Sequence, residues 1–215
     1  MSQQLGDREG YWTSFYKGES RHRRLMPPSQ FAAFVAQELD SDSVIFDVGC
    51  GNGRDSLFFA EMGFKVVSLD GCKDAIFLVE EHAKERELNN IKFIVGDVTG
   101  PKLREAIEQL AFTKLCIYAR FFLHAISEQE QSVFLRTLST NLKSGSLVAF
   151  EYRTVDDQCL QKQASPHFRR YQSSENLNAA LQKAGFRKIY AIEGQGFAKY
   201  KVDDAVVARC IFEKV

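Results

Sequence analysis

The chain has 215 residues, enough for one well-buried core and too few for two ordinary ones. Its 28 Lys plus Arg balance its 28 Asp plus Glu, so with histidine neutral the net charge is zero. That balance argues against a polycation built to grip nucleic acid and against an acidic tail, while 45% hydrophobic and 12% aromatic residues exclude a disordered chain.

The first ten residues are polar and carry no apolar signal segment, and no run of eighteen apolar residues marks a membrane span. Cys50, Cys72, Cys116, Cys159 and Cys210 are odd in number and scattered, with no CxxC pair. Reduced thiols in a cytoplasmic protein are therefore expected, with neither a disulfide framework nor a metal site. Residues 1 to 42 hold an aromatic cluster (Tyr11, Trp12, Phe15, Tyr16), a basic cluster (Arg21 to Arg24) and one amphipathic helix carrying Phe31, Phe34, Val35 and Leu39.

From there two kinds of segment alternate. Short β-branched runs predict buried strands over Ser43 to Asp47, Lys65 to Leu69, Ile91 to Val95, Leu115 to Tyr118 and Ser146 to Phe150. Helical patterns lie between them. Asp55 to Met62 stops at Gly63, and Lys73 to Glu87 carries Ala75, Ile76, Val79 and Ala83 on one stripe. Ser127 and Glu130 form a capping box ahead of Phe134 and Leu138, and Ser173 or Ser174 caps a helix ending at Gly185. The last region, from Phe186, predicts two strands joined by a long connection, with Val206 to Ile211 placed antiparallel at the sheet edge by a closing hairpin. The β-α-β-α order gives an α/β fold with a mainly parallel sheet covered on both faces.

Asp47-Val-Gly-Cys-Gly-Asn-Gly53 runs from the first strand through a glycine-rich turn into a helix, the end at which open α/β sheets bind ligands. A Walker A loop is absent, and Arg54 stands where a dinucleotide fingerprint needs its third glycine. Asp47 would repel phosphates but suits an ammonium group. Asp70 ends the second strand, where a carboxylate can accept two ribose hydroxyls, and Asp97 follows the third, within reach of an adenine amino group. Singly, each glycine could serve only a turn and each acid only a helix cap. In register they describe a site for ammonium, ribose and adenine without phosphate, which fits S-adenosylmethionine.

Over residues 43 to 151 the sequence resembles the class I S-adenosylmethionine-dependent methyltransferases. Residues 47 to 53, Asp70 and Gly96-Asp97 match that family's first three motifs. The resemblance implies a Rossmann-like, doubly wound, seven-stranded sheet whose last strand is antiparallel. It also implies cofactor contacts from Asp47, Gly49, Cys50, Gly51, Asp70, Gly71, Asp97, Val98, Ala119 and Arg120. A single domain over 1–215 is expected, with residues 1–42 as an N-terminal lid and about 151–172 as an acceptor loop.

Past the fourth strand, Tyr118-Ala-Arg-Phe replaces the Asn/Asp-Pro-Pro-aromatic signature of amino-methylating DNA enzymes, so base methylation is disfavoured. Arg120 could meet the cofactor carboxylate or an anionic acceptor, and His124 is a possible general base. Tyr16, Arg23, Arg24, Arg153, His167, Arg169, Arg170 and Tyr171 are expected at the acceptor, being rings and donors suited to phosphate or carboxylate. These residues point to O-methylation of an anionic small molecule or glycan intermediate. The rival readings are a thiol- or metalloid-methylating detoxification enzyme and a non-catalytic cofactor-binding protein.

Overall fold

The computed structural model describes residues 10–16, 18, 27–110, 114–162 and 167–215. Residues 10–16 are helical. Helix α1 (Gln30–Glu38) begins at Ser29, whose side chain caps Ala32. Then follow β1 (Val44–Val48), α2 (Arg54–Glu61), β2 (Lys65–Asp70), α3 (Lys73–Glu85), β3 (Ile91–Val95), α4 (Pro101–Gln109) and β4 (Leu115–Arg120). The chain closes with α5 (Glu128–Asn141), β5 (Leu147–Arg153), α6 (Ser174–Lys183), β6 (Phe186–Gly194) and β7 (Val207–Lys214).

The strands form one seven-stranded sheet in the order β3-β2-β1-β4-β5-β7-β6. Every pairing from β3 to β5 is parallel, and β7 alone runs against its neighbours β5 and β6. Strand side chains alternate between faces, so β1 contributes to two cores. Val44, Phe46 and Val48 pack towards α4, α5 and α6, with Leu103, Phe134 and Leu181. Ile45 packs towards α1, α2 and α3, with Phe31, Leu57 and Val79. The strand order reverses between β1 and β4, and the crevice at their carboxyl ends is where such sheets take ligands.

The capping box of Ser127 and Glu130 is present at the start of α5, and Ser173 caps α6. Two expectations need correcting. Helix α4 has no counterpart in the sequence reading, because only Leu103, Ala106 and Ile107 of its nine residues are buried and the rest of its surface is polar. The final strand does not lie at the edge. It inserts between β5 and β6, which leaves β6 outermost. The reason is burial: β7 is buried over its first six residues, whereas β6 is exposed at most positions and carries Arg187, Lys188 and Glu193. Charges of that kind are tolerated, and protective, on an edge strand.

Candidate functional site

A cavity of about 1030 Å³ opens over the carboxyl ends of β1 to β4. That is at the upper end of the range for a single-ligand pocket, roughly 300–1,000 Å³, and suits two substrates side by side.

The glycine turn forms its floor. The amides of Gly49 and Cys50 both donate to the Leu69 carbonyl, at 2.8 and 3.2 Å, and draw the turn against the end of β2. Gly51 adopts φ +56°, and a Cβ there would lie 2.5 Å from the Tyr16 hydroxyl. A Cβ on Gly49 would lie 2.4 Å from the Phe122 ring. Only glycine permits this cradle. Asp70 fixes its other side, accepting the Gly51 amide at 2.9 Å and the Cys72 amide at 2.8 Å, one on each carboxylate oxygen. Each oxygen keeps acceptor capacity for a hydroxyl.

Asp47 is buried at the end of β1 and accepts the Ser56 hydroxyl at 2.5 Å. Burial pushes its carboxyl up to about 7, against the Ser56 bond and with help from the nearby charges of Asp55 and Asp70. A cationic group brought beside Asp47 would reverse that shift. Asp97 lines the cavity and accepts the Thr99 amide at 2.7 Å. Val98 lies on the wall and is buried in the core, while Ala119 is a fully buried core residue outside the wall. Gly71 and Cys50 lie on the wall, and burial with the charges of Asp70 and Asp47 holds the Cys50 thiol far above its ordinary value.

A second group of acids and bases lies beside the turn, of which the sequence reading placed only Arg120 at the site. Asp55 accepts the Ser29 amide, the Ser29 hydroxyl and the Tyr118 hydroxyl, each at 2.8 Å, and meets Arg54 at 3.2 Å. Burial works to raise its carboxyl, but Arg54, Arg120 and the Ser29 bonds together hold it below its ordinary value. Arg120 therefore sits between carboxylates: its Nε is 2.6 Å from Glu151 Oε1. Arg209 reaches the other oxygen of the fully buried Glu151 at 2.6 Å and donates to the Phe197 carbonyl at 2.7 Å. Glu151 was legible by the logic that singled out Asp47 and Asp70, an acid at the end of a buried strand. Asp55 was signalled only by its place directly after the glycine turn.

Phe121 follows β4 with φ +55°, a strained conformation for a bulky residue. Its amide donates to the Glu151 carbonyl at 2.8 Å, and the Arg120 guanidinium lies 4.2 Å from its ring centroid. His124 lies three residues on, buried, its Nδ1 3.5 Å from the Arg153 amide. Burial first, then the charges of Arg153, Arg169, His167 and Arg120, hold the imidazole far below its ordinary value, so it stays neutral and is a weak base.

The expected acceptor residues divide. Tyr16, Arg153, His167 and Arg169 line the cavity. Arg153 is already neutralised, by Asp157 at 2.7 Å and Asp203 at 2.6 Å. Arg170 and Tyr171 are not on the wall, a correction with a clear cause for Arg170. Its guanidinium donates to the carbonyls of Ile126 at 3.0 Å and Leu123 at 3.3 Å and to Gln131, and its amide donates to the His124 carbonyl at 2.8 Å. It braces the turn that carries His124. Tyr171 lies 5.7 Å from the Lys162 ammonium. Arg23 and Arg24 lie outside the described residues. The connection between β6 and β7 adds wall residues the sequence reading omitted, among them Phe197, Lys199 and Tyr200. Its length was the available signal.

A family described as methyltransferase domain matches residues 39–194. The chain is 26% identical over 122 residues to a cypemycin N-terminal methyltransferase from Streptomyces, covering 56% of this chain and 46% of that one. It is 40% identical over 55 residues to a 2-heptyl-1-hydroxyquinolin-4(1H)-one methyltransferase from Mycobacteroides abscessus, covering 26% and 24%. The matches thus span less than half of either relative's length. The fold is similar to that of a SAM-dependent methyltransferase from Anabaena variabilis, with TM-score 0.71 at 18% identity over 98% of this chain and 95% of that one. No helix among the described residues is long and apolar enough to cross a membrane. With the family match spanning most of the chain, and with a glycine cradle and carboxylates at the strand ends, the chain belongs to the class I S-adenosylmethionine-dependent methyltransferases.

Proposed function

We propose that the protein O-methylates an anionic small molecule, a phosphorylated or carboxylated metabolite or glycan intermediate. One observation carries the reading: Arg169 lines the cavity and has no carboxylate partner among the described residues, whereas Arg120, Arg153 and Arg209 are each paired internally. An unpaired guanidinium in a partly enclosed cavity is a seat for a phosphate or carboxylate.

The residues suit the cofactor. Asp47 would face the ammonium, Asp70 the ribose hydroxyls and Asp97 the adenine side, with the glycine turn lying close beneath. S-adenosylmethionine supplies a methyl on a sulfonium, whose departure as a neutral thioether needs no acid. The chain's task is then to align an acceptor oxygen with that carbon, and alignment alone is worth up to roughly 7–11 kcal/mol of barrier. An acceptor oxygen that is already anionic forms the new O–C bond with its own lone pair and gives up no proton. Neutral His124 then need not act as a base; a hydroxyl acceptor would call on it to take the proton.

The test is to incubate the purified protein with methyl-deuterated S-adenosylmethionine and a metabolite extract, and to follow the label by mass spectrometry. Label on an oxygen of an anionic metabolite supports the reading. Label on thiols or metalloids, or none transferred, overturns it.

A further inference from the structure

The acceptor side of the cavity is built from a narrow set of chemistries. Its wall comes from the N-terminal helical segment, the turn after β4, residues 167 to 169 and the β6–β7 connection. Rings dominate: Trp12 and Phe15 from the first, Phe121 and Phe122 from the second, Phe197 and Tyr200 from the last. The Tyr11 ring stacks on His167 with centroids 4.4 Å apart, which ties the N-terminal segment to the strip carrying Arg169. Phe15 and Tyr200 lie on the cavity wall yet remain 38% and 45% exposed. Large apolar rings left open in a concave wall mark a surface for an apolar partner.

Charge is as selective. Asp203, the acid on this side of the wall, is held by Arg153 at 2.6 Å. Arg169 and Lys199 have no acidic partner among the described residues. These four segments contribute no Asn, Gln, Ser or Thr to the described wall; at the adjoining start of α1, Ser29 and Gln30 line it, and the Ser29 hydroxyl is already taken by Asp55. Neutral amides and hydroxyls of that kind are what a site needs to satisfy the many hydroxyls of a sugar, because a buried hydroxyl without a partner is costly.

We infer that the acceptor is a planar aromatic anion: an aromatic body between the rings, with one carboxylate or similar group on Arg169. This rests on the proposed methyl transfer and narrows it, setting glycan intermediates aside. Rings stack on rings in offset or edge-on geometry, and the guanidinium fork meets a carboxylate in two parallel hydrogen bonds.

Calorimetry on the protein saturated with S-adenosylhomocysteine tests it, with 1-naphthoate, 1-naphthamide and glucose 6-phosphate as probes. Naphthoate is expected to bind saturably, and the neutral amide and the sugar phosphate at least about tenfold more weakly. Arg169→Ala should weaken naphthoate about tenfold or more and leave S-adenosylhomocysteine affinity unchanged. Tyr200→Ser, at an exposed position that does not threaten folding, should weaken naphthoate several-fold. Sugar phosphate binding as tightly as naphthoate, amide matching carboxylate, or no naphthoate binding to the loaded protein would each overturn the inference alone. Failure of S-adenosylhomocysteine to bind at all would overturn the methyl-transfer reading and this inference with it.

Discussion

Arg209 stands directly opposite Glu151 in the antiparallel β5–β7 register, and its Nε meets the carboxylate at 2.6 Å. Arg120 meets the other oxygen from β4, so one fully buried acid beneath the cavity wall offsets two guanidinium groups. Removing one member of a buried ionic cluster leaves the others uncompensated and costs about 3–5 kcal/mol. For a chain of this size that corresponds to a fall in Tm of roughly 10 °C. Glu151→Gln is therefore expected to lower the melting temperature by about that amount in a thermal scan. A change smaller than roughly 3 °C would mean that water or rearrangement already screens the pair of cations.

Asp70 bridges the glycine turn to the start of α3 through the Gly51 and Cys72 amides. Asp70→Ala removes both bonds and the carboxylate lone pairs proposed for the ribose. Bonds to charged groups are each worth about 1.5–3 kcal/mol, so S-adenosylhomocysteine affinity should fall at least about 100-fold. Calorimetry decides, and an unchanged affinity would reject Asp70 as the ribose acceptor.

The contrast between Asp70 and Arg170 shows what a sequence can and cannot carry. Asp70, Gly49 and Gly51 were legible because their meaning is local: a short buried strand, a turn that only glycine can make, an acid at the strand end. The parallel β-α alternation was legible for the same reason. Arg170 looks in sequence like any anion-binding arginine, and only the packing of the 123–126 turn shows that it serves carbonyls. Arg153 is the same case, its charge consumed by Asp157 four residues on and by Asp203 from a distant part of the chain. The insertion of β7 between β5 and β6 is likewise a matter of long-range pairing. Even so, the run Val206-Val-Ala-Arg-Cys-Ile211, apolar but for Arg209, beside the charged Arg187-Lys188 favours the buried place for β7.

Asp47 gives the site a pH signature. Its carboxyl, ordinarily near 3.8, is pushed up to about 7, chiefly by burial, with Asp55 and Asp70 adding to the rise and Ser56 and Arg54 opposing it. Between those two values the folded protein holds a proton that the unfolded chain releases, so stability falls as pH rises through that window. Cofactor binding has the opposite sign if the ammonium pairs with the ionised form. From pH 6 to 8 the ionised fraction rises about tenfold, and affinity for S-adenosylhomocysteine should rise by a similar factor. Asp47→Asn is expected to bind weakly and without that dependence. A wild-type affinity flat from pH 6 to 8 would remove Asp47 from the ammonium site.

Gly53, the N-cap of α2, shows why the turn needs its third glycine for packing as well as for conformation. It adopts φ +75°, and a Cβ would lie 1.9 Å from a methyl of Val79 on α3. The left-handed conformation costs a non-glycine residue about 1–2 kcal/mol, and overpacking a core about 1–3 kcal/mol more. Gly53→Ala should therefore destabilise by roughly 2–5 kcal/mol in denaturant unfolding. Val79 is fully buried, so Val79→Ala is destabilising on its own account. The double variant probes the contact, because removing the Val79 methyls relieves the closest approach, while the Val79 Cβ, 2.7 Å from the new Cβ, and the backbone strain both remain. Its loss should be smaller than the sum of the single losses by about 1–2 kcal/mol. Strict additivity would mean that the Val79 methyls are not what crowds this position.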